Sequence, residues 1–176
     1  MAVGTEVEAK IRVETMGRVL TALKTHKGVR LRTENHEDAY FDNGSLFDYG
    51  HFLRLRRQTQ TVIPTKSAYI IYKGSGETSG GIKSSQERSS LIADPDAIEA
   101  ILGILGCNKV FTVKKRRTIF ALGNCKVALD DVDGIGQFVE VEGHDEQSIQ
   151  NAIRLLGLGG VKAEEASYAE LAMAKT

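Results

Sequence analysis

Glu6-Val7-Glu8-Ala9-Lys10 alternates charged and apolar residues, and Glu140-Val141-Glu142 repeats the pattern near the other end of the chain. Successive side chains on a β-strand point to opposite faces. Glu6, Glu8 and Lys10 therefore share one face of one strand, and Glu140 and Glu142 share one face of another. Val7, Ala9, Val139 and Val141 form the opposite faces, which read as buried. A sheet with carboxylates crowded on one face needs compensating charge there, such as a metal ion.

The compensating charge recurs along the chain. Phe52-Leu53-Arg54-Leu55-Arg56 alternates as a strand with Arg54 and Arg56 on one face. Ala68 to Lys73 contains Tyr69-Ile70-Ile71-Tyr72, residues of high β-propensity, and ends on Lys73. Lys115 and Arg117 are again two apart. An exposed basic face would explain any one of these pairs. Their repetition on several strands, with Lys10, points instead to one shared cavity. The planar fork of arginine binds phosphate oxygens bidentately, and lysine adds compact charge. Such a cavity fits a polyanion, above all a chain of phosphates. The carboxylates would hold a divalent cation against it, since Mg²⁺ and Mn²⁺ prefer oxygen ligands.

The rest of the pattern predicts a strand-dominated domain. Strands are expected at 5–13, 29–42, 82–92, 110–121, 126–131 and 137–142, besides those carrying Arg54 and Lys73. Thr15 is expected to cap a helix whose apolar residues Met16, Val19, Leu20 and Leu23 recur at helical spacing. Asp94-Pro95 opens a second helix, with Asp94 as N-cap. Two more are expected at 145–156 and 165–174. Residues 59–66 read as a loop, and 74–81, with four glycines, as a flexible connection. The expected fold is α+β and β-dominated: about eight antiparallel strands closed into a barrel with a polar interior. No repeat or linker divides the 176 residues, so one domain is expected over 1–176.

Composition removes some classes. Basic and acidic residues balance at 23 each, which argues against a nucleic-acid partner. No apolar run is long enough to span a membrane, and the N-terminus lacks a basic-then-apolar signal, so a cytoplasmic protein is expected. Cys107 and Cys125 have no metal-binding spacing and read as reduced thiols. The four histidines are scattered and read as structural, with His51 alone placed near a tunnel mouth.

These motifs, taken together, resemble the CYTH superfamily, the triphosphate tunnel metalloenzymes. The resemblance begins at Glu6-x-Glu8-x-Lys10 and continues through Glu37-Asp38-Ala39-Tyr40-Phe41-Asp42, Leu53-Arg54-Leu55-Arg56 and Tyr72-Lys73-Gly74. It resumes at Val113-x-Lys115-x-Arg117 and Leu129-Asp130-Asp131-Val132-Asp133-Gly134-Ile135-Gly136-Gln137-Phe138-Val139-Glu140-Val141-Glu142. The last stretch is most similar to the class IV adenylyl cyclase branch. The resemblance implies an eight-stranded tunnel with helices packed outside, and a triphosphate-containing small molecule, ATP or inorganic triphosphate, bound with Mg²⁺ or Mn²⁺. Glu6, Glu8, Glu140 and Glu142 would ligate metal, with Asp130 as a further ligand. Lys10, Arg54, Arg56, Lys73, Lys115 and Arg117 would hold phosphates, and Glu87 can be matched beside them. Ser85-Gln86-Glu87-Arg88 departs from the pattern, because the expected cation before the glutamate is missing; Lys83 or Arg88 are the replacements at hand. A homodimer is also compatible with the family.

Two reactions follow from the resemblance. A cyclase uses the ribose 3′-hydroxyl of ATP to attack the α-phosphate and expel pyrophosphate. A triphosphatase uses water on the terminal phosphate. A non-catalytic polyphosphate-binding module is a third reading, against which the retained carboxylates count. The same cations would serve all three.

Overall fold

Charged and apolar residues alternate along much of the chain, and eight extended segments pair into one sheet. The computed structural model describes residues 2–175, with side chains from residue 5 onward. The strands are β1 (Ala2–Val13), β2 (Val29–Asp42), β3 (Phe52–Gln60), β4 (Lys66–Ser79), β5 (Ile82–Ile92), β6 (Asn108–Leu122), β7 (Cys125–Val132) and β8 (Gly136–Glu142). Among the described residues four α-helices accompany them: α1 (Gly17–Thr25), α2 (Pro95–Ile104), α3 (Glu146–Leu155) and α4 (Tyr168–Met173). The strands form a closed antiparallel barrel in the order β1-β5-β4-β3-β2-β6-β7-β8, with β8 paired back onto β1. Closure leaves no unpaired edge.

Alternation assigns the two faces. On β1, Ala9 and Ile11 face outward and are buried beneath α1 and α3, in one cluster with Val127, Leu129, Val139, Val141, Val19, Leu23 and Ile149. Ala39, Phe41 and Leu55 face outward on β2 and β3, where Leu102 of α2 covers them. The residues between these positions face into the barrel. Three helices therefore pack outside, as expected. The fourth does not. Tyr168 and Ala169 of α4 are buried among the inward-facing Tyr40, Phe52, Val113, Val132 and Phe138, so α4 plugs the barrel interior with an apolar cluster.

Several expected boundaries shift for identifiable reasons. Residues 74–79 were expected in a flexible connection, yet they continue β4, and only Gly80 and Gly81 turn. The β4–β5 ladder slips between Lys73 and Gly76, then resumes with Gly76 opposite Ser85 and Thr78 opposite Lys83. A Cβ on Gly76 would lie 2.7 Å from the Ser84 carbonyl oxygen, so a glycine is needed for the strand to continue. Strand β3 runs on to Gln60, which shortens the expected loop to 61–65. Thr15 is not the N-cap of α1; Met16 is, and Thr15 Oγ1 accepts from the Gly17 amide at 3.3 Å. Asp94 does cap α2, accepting from the Asp96 and Ala97 amides. Helix α4 starts later than expected because Ser167 and Glu170 form a reciprocal capping box that fixes its first turn. Among the described residues, no helix is long and apolar enough to cross a membrane.

Candidate active site: a charged cavity inside the barrel

The inward faces of the strands bring their charges to one cavity. Lys73 Nζ of β4 donates to Glu6 Oε2 at 2.8 Å and to Glu8 Oε1 at 2.6 Å. Lys10 stands directly opposite Glu140 across the β1–β8 pair, and its ammonium lies 4.7 Å from the centre of the Tyr168 ring. Arg117 Nε donates to Asp130 Oδ1 at 2.7 Å, and its Nη2 reaches both Asp130 and Glu140. Arg56 donates twice to Asp38, at 2.7 Å each. Arg54 lies 3.7 Å from Asp38 and 3.7 Å from Glu87. The cavity between these groups has a volume of about 70 Å³, room for several waters.

Burial makes these charges depend on one another. Burial opposes ionisation of Asp38 and Glu140. Arg56 and Arg54 around Asp38, and Arg117, Lys115 and Lys10 around Glu140, outweigh it and hold both carboxyls well below the usual range. Lys73 stays protonated, above its ordinary value, because Glu8 and Glu6 overcome its burial. Lys115 goes the other way. Burial and the neighbouring Arg117 pull its ammonium down to about 8, against the opposing pull of Asp130 and Glu140. Its Nζ rests 4.6 Å from the Tyr168 ring centre and 3.3 Å from Asp130.

Glu6, Glu8, Lys10, Arg54, Arg56, Lys73, Lys115, Arg117 and Glu140 line the cavity together. Three other expected site residues stand apart from its lining. Asp130, expected as a metal ligand, is fully buried, and Arg117, Lys115 and Tyr168 take up its two oxygens. It reaches the cavity only through those partners. Glu142 pairs with Lys126 at 2.9 Å and is 42% exposed. Glu87 faces Arg54. The position of the missing cation holds Ser85, whose buried hydroxyl has no partner among the described residues, while Lys83 of the same strand face lines the cavity. Arg88 is exposed. His51 bonds the Tyr72 hydroxyl at 3.1 Å and is not a lining residue.

The sequence reading gave no site role to Asp38, Tyr168, Glu164, Glu165 or Ser167. Asp38 anchors two arginines; the last four come to the cavity with the segment leading into α4. Beyond Arg56 lies a second polar cluster. Buried Glu34 accepts from Arg32 at 2.5 Å and from Gln58 at 3.0 Å, and lies 2.9 Å from His36 Nε2. Arginine and histidine neighbours overcome its burial and hold Glu34 down to about 2, so it only accepts and His36 Nε2 carries the hydrogen.

The profile of the CYTH domain matches residues 4–168. The chain belongs to the CYTH family. Adenylate cyclase CyaB of Aeromonas hydrophila is 30% identical to this CYTH chain over 178 residues, covering 94% of this chain and 87% of its own. Among solved structures, the PH1819 protein of Pyrococcus horikoshii OT3 superposes with a TM-score of 0.82 at 26% identity, over 97% of this chain and 99% of its own. HpAC1 from Hippeastrum, described by a dominant triphosphatase activity, has a TM-score of 0.71 at 17% identity and covers 97% of each chain. At that identity the likeness is one of fold.

Proposed function

We propose that this CYTH protein is a divalent-metal-dependent enzyme that acts on a triphosphate held inside its barrel, by the class IV adenylyl cyclase reaction, ATP to cyclic AMP and pyrophosphate. The observation that carries the reading is the meeting of Glu6, Glu8 and Glu140 with seven strand cations in one cavity. Similarity to CyaB supports the choice of branch. A cytoplasmic location goes with a nucleotide substrate.

The donor chemistry of the cavity suits a hard cation, although among the described residues no three potential ligands already converge on one point. Its carboxylates offer only oxygen, and the Lys73 ammonium between Glu6 and Glu8 already marks that point as built for positive charge. Glu6, Glu8 and Glu140 would hold Mg²⁺ or Mn²⁺. The bound ion supplies neutralisation of phosphate charge and activation of the attacking oxygen. The chain's own residues do the positioning. Asp38 holds Arg56 with its fork fixed, and Asp130 does the same for Arg117, so both guanidiniums are preorganised for phosphate oxygens. Lys10 and Lys115 add ammonium charge that Tyr168 holds against its ring face. Phosphoryl and nucleotidyl transfer depend mainly on such positioning and charge neutralisation.

Triphosphatase action on inorganic triphosphate, thiamine triphosphate or a nucleoside triphosphate is the second reading. It is favoured by the aromatic wall. Tyr40 stacks on Phe111 and meets Phe52 edge-on, and Tyr168 meets Phe138 while two ammonium groups lie over its ring. These rings are engaged with protein partners instead of standing free for a base. Purified protein assayed with Mg²⁺ or Mn²⁺ against ATP, inorganic triphosphate and thiamine triphosphate separates the readings. Cyclic AMP with pyrophosphate supports the cyclase. Orthophosphate without a cyclic product replaces it by the triphosphatase. Binding without turnover leaves a polyphosphate-binding module.

A further inference from the structure

Lys73 differs from the cavity arginines in the carboxylates it holds. Arg56 is fixed to Asp38, and Arg117 is held by both oxygens of Asp130 and reaches Glu140 with one nitrogen only; both aspartates are buried behind the cavity wall. Lys73 is bonded to Glu6 and Glu8, which line the cavity itself. A divalent ion would need those same oxygens at about 2.0–2.1 Å. An ammonium within 2.8 Å of both stands in that ion's place.

We propose that Lys73 is the resident counter-ion of the Glu6–Glu8 pair, exchanged for the divalent ion on loading, with its ammonium passing to the polyphosphate. The inference rests on the metal–polyphosphate reading above and adds how the site is filled. Two features let Lys73 move. Its four-carbon stem is flexible, unlike the planar fork of arginine. The β4–β5 ladder is interrupted immediately after it, between Lys73 and Gly76, where a bulge re-aims neighbouring side chains.

The exchange has a thermodynamic consequence. A metal entering alone displaces Lys73 into a cavity that already holds Lys10, Arg54 and Lys83, with no new anion to receive it. A polyphosphate supplies that anion. Metal and polyphosphate therefore load with positive coupling, and coupling is reciprocal. Without the lysine, Glu6 and Glu8 lose the cation hydrogen-bonded to both and take the metal readily by itself.

The test measures Mn²⁺ retained with the protein on ultrafiltration, with and without tripolyphosphate, for wild type, Lys73→Met and Glu6→Gln. Wild type is expected to hold Mn²⁺ weakly alone and about tenfold more tightly with tripolyphosphate. Lys73→Met should hold Mn²⁺ alone about tenfold more tightly than wild type, with most of the coupling lost. If Lys73→Met gains nothing while Glu6→Gln loses Mn²⁺, the exchange is wrong and the metal site stands. If Glu6→Gln also changes nothing, the functional reading fails with it. Should Lys73→Met not fold, the wild-type protein still decides. Its Lys73 ammonium signal in ¹⁵N-lysine NMR must move when Mg²⁺ and tripolyphosphate are present together, and a signal that stays in place overturns the exchange.

Discussion

Arg56 and Asp38 face each other directly across the β2–β3 pair and are joined by two hydrogen bonds of 2.7 Å. Asp38 is 1% exposed and also lies 3.7 Å from Arg54, so one buried carboxylate steadies two of the guanidiniums in the cavity wall. Removing one member of a buried ion pair leaves the other uncompensated.

Asp38→Ala should therefore destabilise the protein by about 3–5 kcal/mol. Urea unfolding measures it. Tripolyphosphate should recover part of the loss, because it gives Arg54 and Arg56 a new anion. A variant as stable as wild type would mean that Asp38 does not anchor the arginines.

Glu6→Gln and Glu8→Gln should each abolish metal-dependent turnover while changing stability by no more than about 1 kcal/mol. Lys73 is hydrogen-bonded to both glutamates, so either change leaves it one carboxylate and strands no buried charge without a partner. Turnover near the wild-type rate in both variants would remove the metal assignment. Arg56→Ala, by contrast, should weaken triphosphate binding as well as folding.

Lys115 gives the site a pH dependence. Its folded-state value of about 8 lies below its ordinary 10.5, so the free protein loses this ammonium as pH rises through about 8. Tripolyphosphate affinity should fall above that pH, and Lys115→Arg should remove the fall because guanidinium stays charged. The stability effect has the opposite sign. Between about 8 and 10.5 the unfolded chain still binds the proton, so Lys115 contributes stability that rises with pH. Calorimetric titrations across pH 7–10 follow the affinity.

His36 should govern the acid limb of stability. Burial, with Arg56 and Lys115 nearby, outweighs the hydrogen bond that His36 donates to Glu34 and lowers its value from 6.5 to about 4. As pH falls through that window the unfolded chain gains a proton that the folded chain refuses, so stability is lost. His36→Gln, which keeps a donor for Glu34, should flatten the melting temperature between pH 6.5 and 4. An unchanged slope would assign the loss to the carboxylates.

What could be read from the sequence follows from which strands alternate. β1, β3 and β8 set charge against apolar residues, so Glu6, Glu8, Lys10, Arg54, Arg56 and Glu140 could be placed on a face without knowing the barrel. β2 does not. Glu34-Asn35-His36-Glu37-Asp38 is polar on both faces, and period two cannot say that Glu34, His36 and Asp38 turn inward. Only the burial of Ala39 and Phe41 on the opposite face, against α2, settles it. Asp130 was visible but its role was not. The phenol of Tyr168, distant in sequence, donates to it at 2.8 Å and helps close it off from the cavity. No local pattern announces that a six-residue helix will enter the barrel. Ser85 remains as the sequence showed it, a serine where a cation was expected, and its buried hydroxyl has no partner among the described residues.

The most direct test of the central claim is anomalous diffraction from crystals grown with Mn²⁺ and tripolyphosphate. A Mn²⁺ peak at bonding distance from Glu6 and Glu8 is predicted, with phosphate density running along Arg54, Arg56 and Lys115 and the Lys73 ammonium turned onto the phosphates. A barrel without that peak, Lys73 still bound between Glu6 and Glu8 and the ligand elsewhere on the protein, would contradict it.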